Sequence, residues 1–367
     1  MLVVSLYVAA GGGGDAVAAA IVRRALGDHA PAAIATYGWD RLSVDPLPGP
    51  RSAADFTGLR ALGAGAHAVV AGTAPRPPSG STLPRLAGDL DGDTLVLLDP
   101  TGGAVGLAAL LAEAADLVAA DTVTVVDVGG DAVAYGDEPG LRSPLADGLA
   151  LAAAARLGLP GTVVVAGPGL DGELGEAQVL AITGTSPARR LDEADVEPFR
   201  RLFSWHPSEA TALLVAAARG LRGRVLIRDA GLDVDLTDAS PGVHVVPLAD
   251  AMAGNRLAAA LGDTASLAEV EDVTRAVCGR SEIDTERRKA ARRAAAPPAP
   301  PPTPPELDVL VAGIEADAVE RGARYLTFRR IAEATGLPPG AVEGLRAHLL
   351  ATRPHRYRWP LWSLATT

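Results

Sequence analysis

Carboxylates recur in this sequence on glycine-rich turns, and that combination is the one best equipped for chemistry. Asp127-Val128-Gly129-Gly130-Asp131 follows a valine-rich run. Its glycines let the backbone curl, so two carboxylates can converge on one point and a ligand can approach the main chain. Next comes Gly136-Asp137-Glu138-Pro139-Gly140-Leu141-Arg142-Ser143-Pro144, which adds Glu138, Arg142 and Ser143 ahead of a helix. This pattern suits Mg²⁺ or Mn²⁺ held by Asp127 and Asp131, or a raised-pKa carboxyl acting as general acid or base, with Asp127, Asp131 and Glu138 as the catalytic candidates. A solvated acidic loop is the bland alternative. Gly167-Pro168-Gly169-Leu170-Asp171-Gly172-Glu173 repeats the theme and offers Asp171 and Glu173 to a substrate.

The earliest such loop is Gly11-Gly12-Gly13-Gly14-Asp15-Ala16. It satisfies G-x-G-x-x-A, and Asp40 stands where a ribose-binding acid would, but Asp15 would repel a pyrophosphate, so a dinucleotide is disfavoured. Two readings remain: a tight turn with Asp15 complementing the helix start, or a ligand loop in which Gly12, Gly13 and Asp15 bind a substrate or metal. Asp99-Pro100-Thr101-Gly102-Gly103 reads as a structural turn. In Ser204-Trp205-His206-Pro207-Ser208-Glu209, Ser208 is an N-cap and His206 a further catalytic candidate. The sequence has no His-x-x-x-His, no G-x-S-x-G and no Walker A lysine, which excludes zincins, ordinary α/β-hydrolases and P-loop NTPases.

These loops need a scaffold that gathers them. Val/Leu/Ile runs alternate with Ala/Leu-rich stretches, the pattern of an α/β fold: a Rossmann-like, mostly parallel sheet with helices on both faces. Strands are expected at 2–9, 32–37, 66–71, 94–99, 122–127, 162–166, 179–183, 224–228 and 243–246. Helices are expected near 15–26, 106–119, 144–157, 192–203, 209–221, 248–261 and 266–278. Ligands of such sheets bind beyond the carboxyl ends of the strands, where the glycine–carboxylate loops fall.

The chain of 367 residues has a net charge of −11, which argues against a general nucleic-acid binder. Residues 1–286 hold 37 acidic against 20 basic residues, and this is the expected large domain. A basic run at 287–293 and a proline-rich spacer form a linker through 305. Residues 306–367 are expected to form a small, mainly helical, winged-helix-like domain, with helices at 328–337 and 339–351 and a ribbon at 357–362. Trp359 and Trp362 serve there as core residues or as anchors for a partner or for the mouth of the large domain's cleft. One cysteine, Cys278, excludes an internal disulfide and fits a cytoplasmic setting. No membrane association is expected, since Met1–Gly14 is uncharged and the first basic residue is Arg23.

The loops GGGGDA, DVGGD, GDEPGLRSPLAD and GPGLDGEL, in that order and spacing, resemble the prokaryotic family catalogued as domain of unknown function 1152 over residues 1–255. The resemblance implies a shared site at Asp15, Asp127, Asp131, Glu138, Asp171 and Glu173 and names no reaction. The reading that follows is a metal-assisted hydrolase or group-transfer enzyme for a small polar, nucleotide-, sugar- or amino-acid-like substrate, in which Arg142 and Ser143 help to hold the substrate. The alternative is a metabolite-sensing regulator whose C-terminal helix-turn-helix binds DNA or a protein; nucleic acid could be bound only through 306–367.

Overall fold

The computed structural model describes residues 4–90, 92–228, 232–295, 302–337 and 341–364. A nine-stranded sheet runs in the order Arg189–Arg190, Gly242–Pro247, Gly161–Ala166, Thr122–Val128, Ser5–Ala9, Ala33–Tyr37, Thr94–Leu98, His67–Val69, Arg60–Ala61. The central strands, from Gly161–Ala166 to Thr94–Leu98, are parallel, and antiparallel pairs close both edges. Ala9 pairs with Val126, and Val128 with Ala166. That register ends three strands together, so the loops opening at Gly11, Gly129 and Gly167 share one edge.

The valine run is continuous because both faces of the sheet are covered. Val123 and Val125 join the core on one side, Val126 and Val128 the core on the other. Helices Gly13–Ala25 and Glu209–Ala218 cover one face, while Gly103–Val118, Pro144–Ala155 and Arg256–Leu261 cover the other. Ala16 and Ala18 to Ala20 are fully buried, so the first helix sits close to the sheet.

Several expected elements differ. The apolar run 179–183 belongs to a helix, Glu176–Thr183, in which only Val179 is buried; a short apolar run does not distinguish strand from helix. The expected helix 192–203 is a short helix, Glu193–Val196, followed by two 3₁₀ turns. The expected helix 248–261 is two, Leu248–Gly254 and Arg256–Leu261, because Asn255 turns its side chain to cap the Ala258 N–H at 2.8 Å.

A second sheet changes the relation of the C-terminal segment to the rest. Its order is Leu232–Leu236, Gly223–Ile227, Tyr325–Leu326, Leu361–Ser363, Tyr357–Arg358, so strands from both parts of the chain pair in one sheet. Val225 and Leu226 align in parallel with Tyr325 and Leu326. The basic run lies inside the helix Glu282–Ala295, which crosses the expected boundary at 286; Arg287 pairs with Glu271 and Asp284. The middle of the expected spacer, 296–301, lies outside the described residues. Pro304 and Pro305 open the helix Pro304–Glu320 behind a Thr303/Glu306 capping box, a position where proline is tolerated. Both C-terminal tryptophans are core: Trp362 is fully buried and donates to Glu315 at 2.7 Å, and Trp359 packs edge-on against Phe203.

Leu226 faces the C-terminal core while its neighbours Val225 and Ile227 face the main one. Leu226→Ala should therefore lower stability by about 2–5 kcal/mol in chemical denaturation. A loss below about 1 kcal/mol would mean that the two parts are not held together through this strand.

Candidate active site

The shared sheet edge opens into a cavity of about 160 Å³. Gly12, Gly13, Asp15, Asp127, Asp131, Ser143, Asp171, Glu173 and His206 line it, so most of the sequence-predicted residues are brought together. Glu138 and Arg142 are not. Glu138 accepts the N–H groups of Tyr135 and Gly136 at 2.6 and 2.9 Å and holds its own turn. The Arg142 side chain is exposed, and only its backbone N–H reaches the site, donating to Glu173. Asp99 accepts from Thr101 and Ala53 and makes a turn, as expected.

Three elements bring a carboxylate to one point. Asp127 is the penultimate residue of the Thr122–Val128 strand and accepts the Ala132 N–H at 3.1 Å. Asp15 lies in the first turn of the Gly13–Ala25 helix and accepts the Gly11 N–H at 2.8 Å. Asp147 lies in the first turn of the Pro144–Ala155 helix. One oxygen from each lies within 4.8 Å of the other two. An all-oxygen, trianionic donor set of that span suits a hard divalent cation such as Mg²⁺ or Mn²⁺. Asp131, expected as the second ligand, turns instead toward Asp171 and shares a hydrogen bond with it.

Close backbone approach makes that pairing possible. Gly129 has φ +123°, and a Cβ there would fall 2.3 Å from the Asp171 carboxyl carbon. Glu173 anchors the two loops: it accepts the Ser143 N–H at 2.8 Å and hydroxyl at 2.6 Å, and pairs with Arg228 at 3.3 Å. Arg228 adopts φ +57° and reaches the Asp171 carbonyl at 2.7 Å.

Sequence reasoning missed five lining residues that matter: Asp147, Arg41, Arg228, Glu282 and Arg329. Asp147 was within reach, since it follows Ser143 by one helical turn in a quoted motif. Glu282 arrives from the helix Glu282–Ala295 and accepts the Leu145 and Ala146 N–H groups at 2.9 and 3.2 Å. Arg329 comes from the C-terminal segment and pairs at 3.2 Å with Glu209, which also accepts the Thr327 hydroxyl and the Arg228 N–H. No local pattern marks such long-range partners.

Charge is unevenly compensated. Glu173 and Glu209 are paired with arginines, but Asp15, Asp127, Asp131, Asp147, Asp171 and Glu282 form no ion pair among the described residues. Burial pushes Asp127, Asp131 and Asp147 well above the carboxylate range, and neighbouring carboxylates add to the effect. Burial also raises Asp15 to about 7, Asp171 to about 6 and Glu282 to about 8. Burial acts on Glu173 in the same direction, yet Arg228 and the donors from Ser143 and Arg142 hold it below its usual value. His206, pushed by burial to about 3, is neutral, and its Nδ1 accepts the Ser208 N–H at 3.3 Å. It can donate through Nε2.

The geometry defines an α/β protein with a buried carboxylate centre at the carboxyl edge of its parallel strands. The chain belongs to the family described as protein of unknown function, DUF1152, which matches residues 6–290. That match takes in Glu282 and stops short of Arg329. No curated protein and no solved structure matches the chain.

A carboxyl whose pKa is higher in the folded than in the unfolded chain stabilises the fold below its unfolded pKa, and that contribution fades as pH rises through its folded pKa. For Asp15, Asp171 and Glu282 the window runs from about 4 to about 8. The metal-free protein should thus melt at progressively lower temperature across that range, and Mg²⁺ should restore more of the loss at pH 8 than at pH 5. A melting temperature that rises with pH without metal would contradict the charge assignment.

Proposed function

We propose that this chain is a metal-dependent hydrolase or group-transfer enzyme acting on a small polar substrate, with Mg²⁺ or Mn²⁺ held by Asp15, Asp127 and Asp147. The observation that carries the reading is the convergence of those three carboxylates within 4.8 Å, none of which forms an ion pair among the described residues. A divalent cation there supplies Lewis-acid polarisation to a substrate oxygen. Asp131 and Asp171 share a proton beside it, and such a pair can deliver a proton to a leaving group or take one from a nucleophile. His206 offers the substrate a hydrogen bond from Nε2 without changing charge. The Rossmann-like character of the large part supports ligand binding at this edge by analogy of architecture alone.

A second reading, a metabolite sensor with a winged-helix-like C-terminal part, draws on Arg329. That residue lines the cavity and belongs to the helix Phe328–Ala334, so a bound ligand would be felt by the C-terminal segment. Its DNA-binding form is weakened because the following helix, Val342–Thr352, docks on the large part: Arg346 donates to the Phe203 carbonyl and Glu343 pairs with Arg85 at 2.5 Å.

Titration calorimetry with Mn²⁺ tests the preferred reading. Wild type should bind one ion per chain and release protons to the buffer. Asp127→Asn and Asp147→Asn should each weaken binding at least tenfold, whereas Asp131→Asn should change it by less than threefold. Absent binding in wild type, or equal binding in Asp127→Asn and Asp147→Asn, would reject it.

A further inference from the structure

Beside the carboxylates, the same cavity is lined by hydrogen-bond donors. Helix Gly13–Ala25 begins there with no side-chain cap among the described residues; the Asp15 N–H is taken by the Gly12 carbonyl at 3.0 Å, which leaves the Gly13 and Gly14 N–H groups at the positive end of the helix dipole. His206 is 4% exposed, and its Nε2 has no hydrogen-bond partner among the described residues. Because Nδ1 accepts from the Ser208 N–H, a neutral ring carries its proton on Nε2. That nitrogen lies 3.7 Å from where a Cβ on Gly13 would stand, a point closed also by Thr82 Oγ1 at 3.0 Å and Leu83 Cδ2 at 3.2 Å, so the absent side chain lets the helix start lie close to the imidazole. Arg41 lines the same cavity, and its guanidinium has no hydrogen-bond or ion-pair partner among the described residues, unlike Arg228 and Arg329, which are held by glutamates. A buried imidazole N–H without a partner is costly unless a ligand takes it.

We propose that the ligand of this cavity carries a phosphate group, received by the amino terminus of helix Gly13–Ala25, the Nε2–H of His206 and the guanidinium of Arg41. Three donors from three elements, with a cation beside them, call for more oxygens than the two of a carboxylate. Phosphate has four, or three when esterified, and helix amino termini are established phosphate receivers. The assignment rests on the cation reading, because the neighbouring aspartates would otherwise repel the anion. With the cation in place, a phosphate can meet both the cation and the donors, and the small polar substrate becomes a phosphorylated one.

The test is calorimetric titration of inorganic phosphate into the full-length, Mg²⁺-saturated protein, with acetate as the carboxylate control. Wild type should bind phosphate saturably and at least tenfold more tightly than acetate. His206→Ala and Arg41→Gln should each weaken phosphate binding at least tenfold while Mg²⁺ affinity stays within threefold, and His206→Gln, whose amide restores an N–H, should recover part of the loss. Arg41 is exposed at the rim, so Arg41→Gln reports even if His206→Ala unfolds. Mg²⁺ binding without phosphate binding, unchanged phosphate affinity in Arg41→Gln, or acetate binding equal to phosphate overturns this proposal alone. Failure to bind Mg²⁺ overturns the cation reading and this proposal with it.

Discussion

Everything in this structure is arranged around the burial of carboxyl groups that the chain does not neutralise. Taking one ionised carboxylate out of water is expensive, and several together add mutual repulsion, so the group must hold protons or capture a cation. Asp15, Asp127 and Asp147 come from a helix start, a strand end and another helix start, which no local folding preference would bring together. The sheet register does so, by ending three parallel strands at one level. A stability-driven sequence would fill such a place with apolar side chains. Retaining acids there costs stability, which is the observation on which the proposed function rests.

The C-terminal segment belongs to the same arrangement. Glu209 sits between the two parts, accepting from Thr327, Arg228 and Arg329, and so links the cavity wall to a helix more than a hundred residues away in sequence. The pairing of Gly223–Ile227 with Tyr325–Leu326 fixes that contact in a sheet. A segment that reads as an appendage is thereby a wall of the pocket. Arg329, which lies beyond the family match, gives this chain a cavity feature that residues 6–290 alone do not supply.

Much of this was legible before the structure. The strands that carry the site were read from valine and leucine runs, and the loops following them from glycines beside acids, because both signals are local. Asp15, Asp127, Asp131, Asp171 and Glu173 met in one cavity as the repetition of the motif implied. The failures share a cause. Glu138 and Arg142 sit in the right loop, but their side chains serve the turn or face solvent, and sequence cannot say which way a loop side chain points. Asp147 lies not in the glycine loop but in the first helical turn after it, where an acid also reads as a partner of the helix amino terminus. Glu282 and Arg329 come from elements whose placement depends on tertiary packing, and the run 179–183 was too short for its periodicity to separate strand from helix.

The central claim is that Asp15, Asp127 and Asp147 hold a divalent cation. Anomalous diffraction from crystals soaked in Mn²⁺ tests it most directly. The account predicts one strong peak about 2.0–2.3 Å from an oxygen of each of the three residues. A peak centred between Asp131 and Asp171, or no peak in the cavity at saturating Mn²⁺, would contradict it.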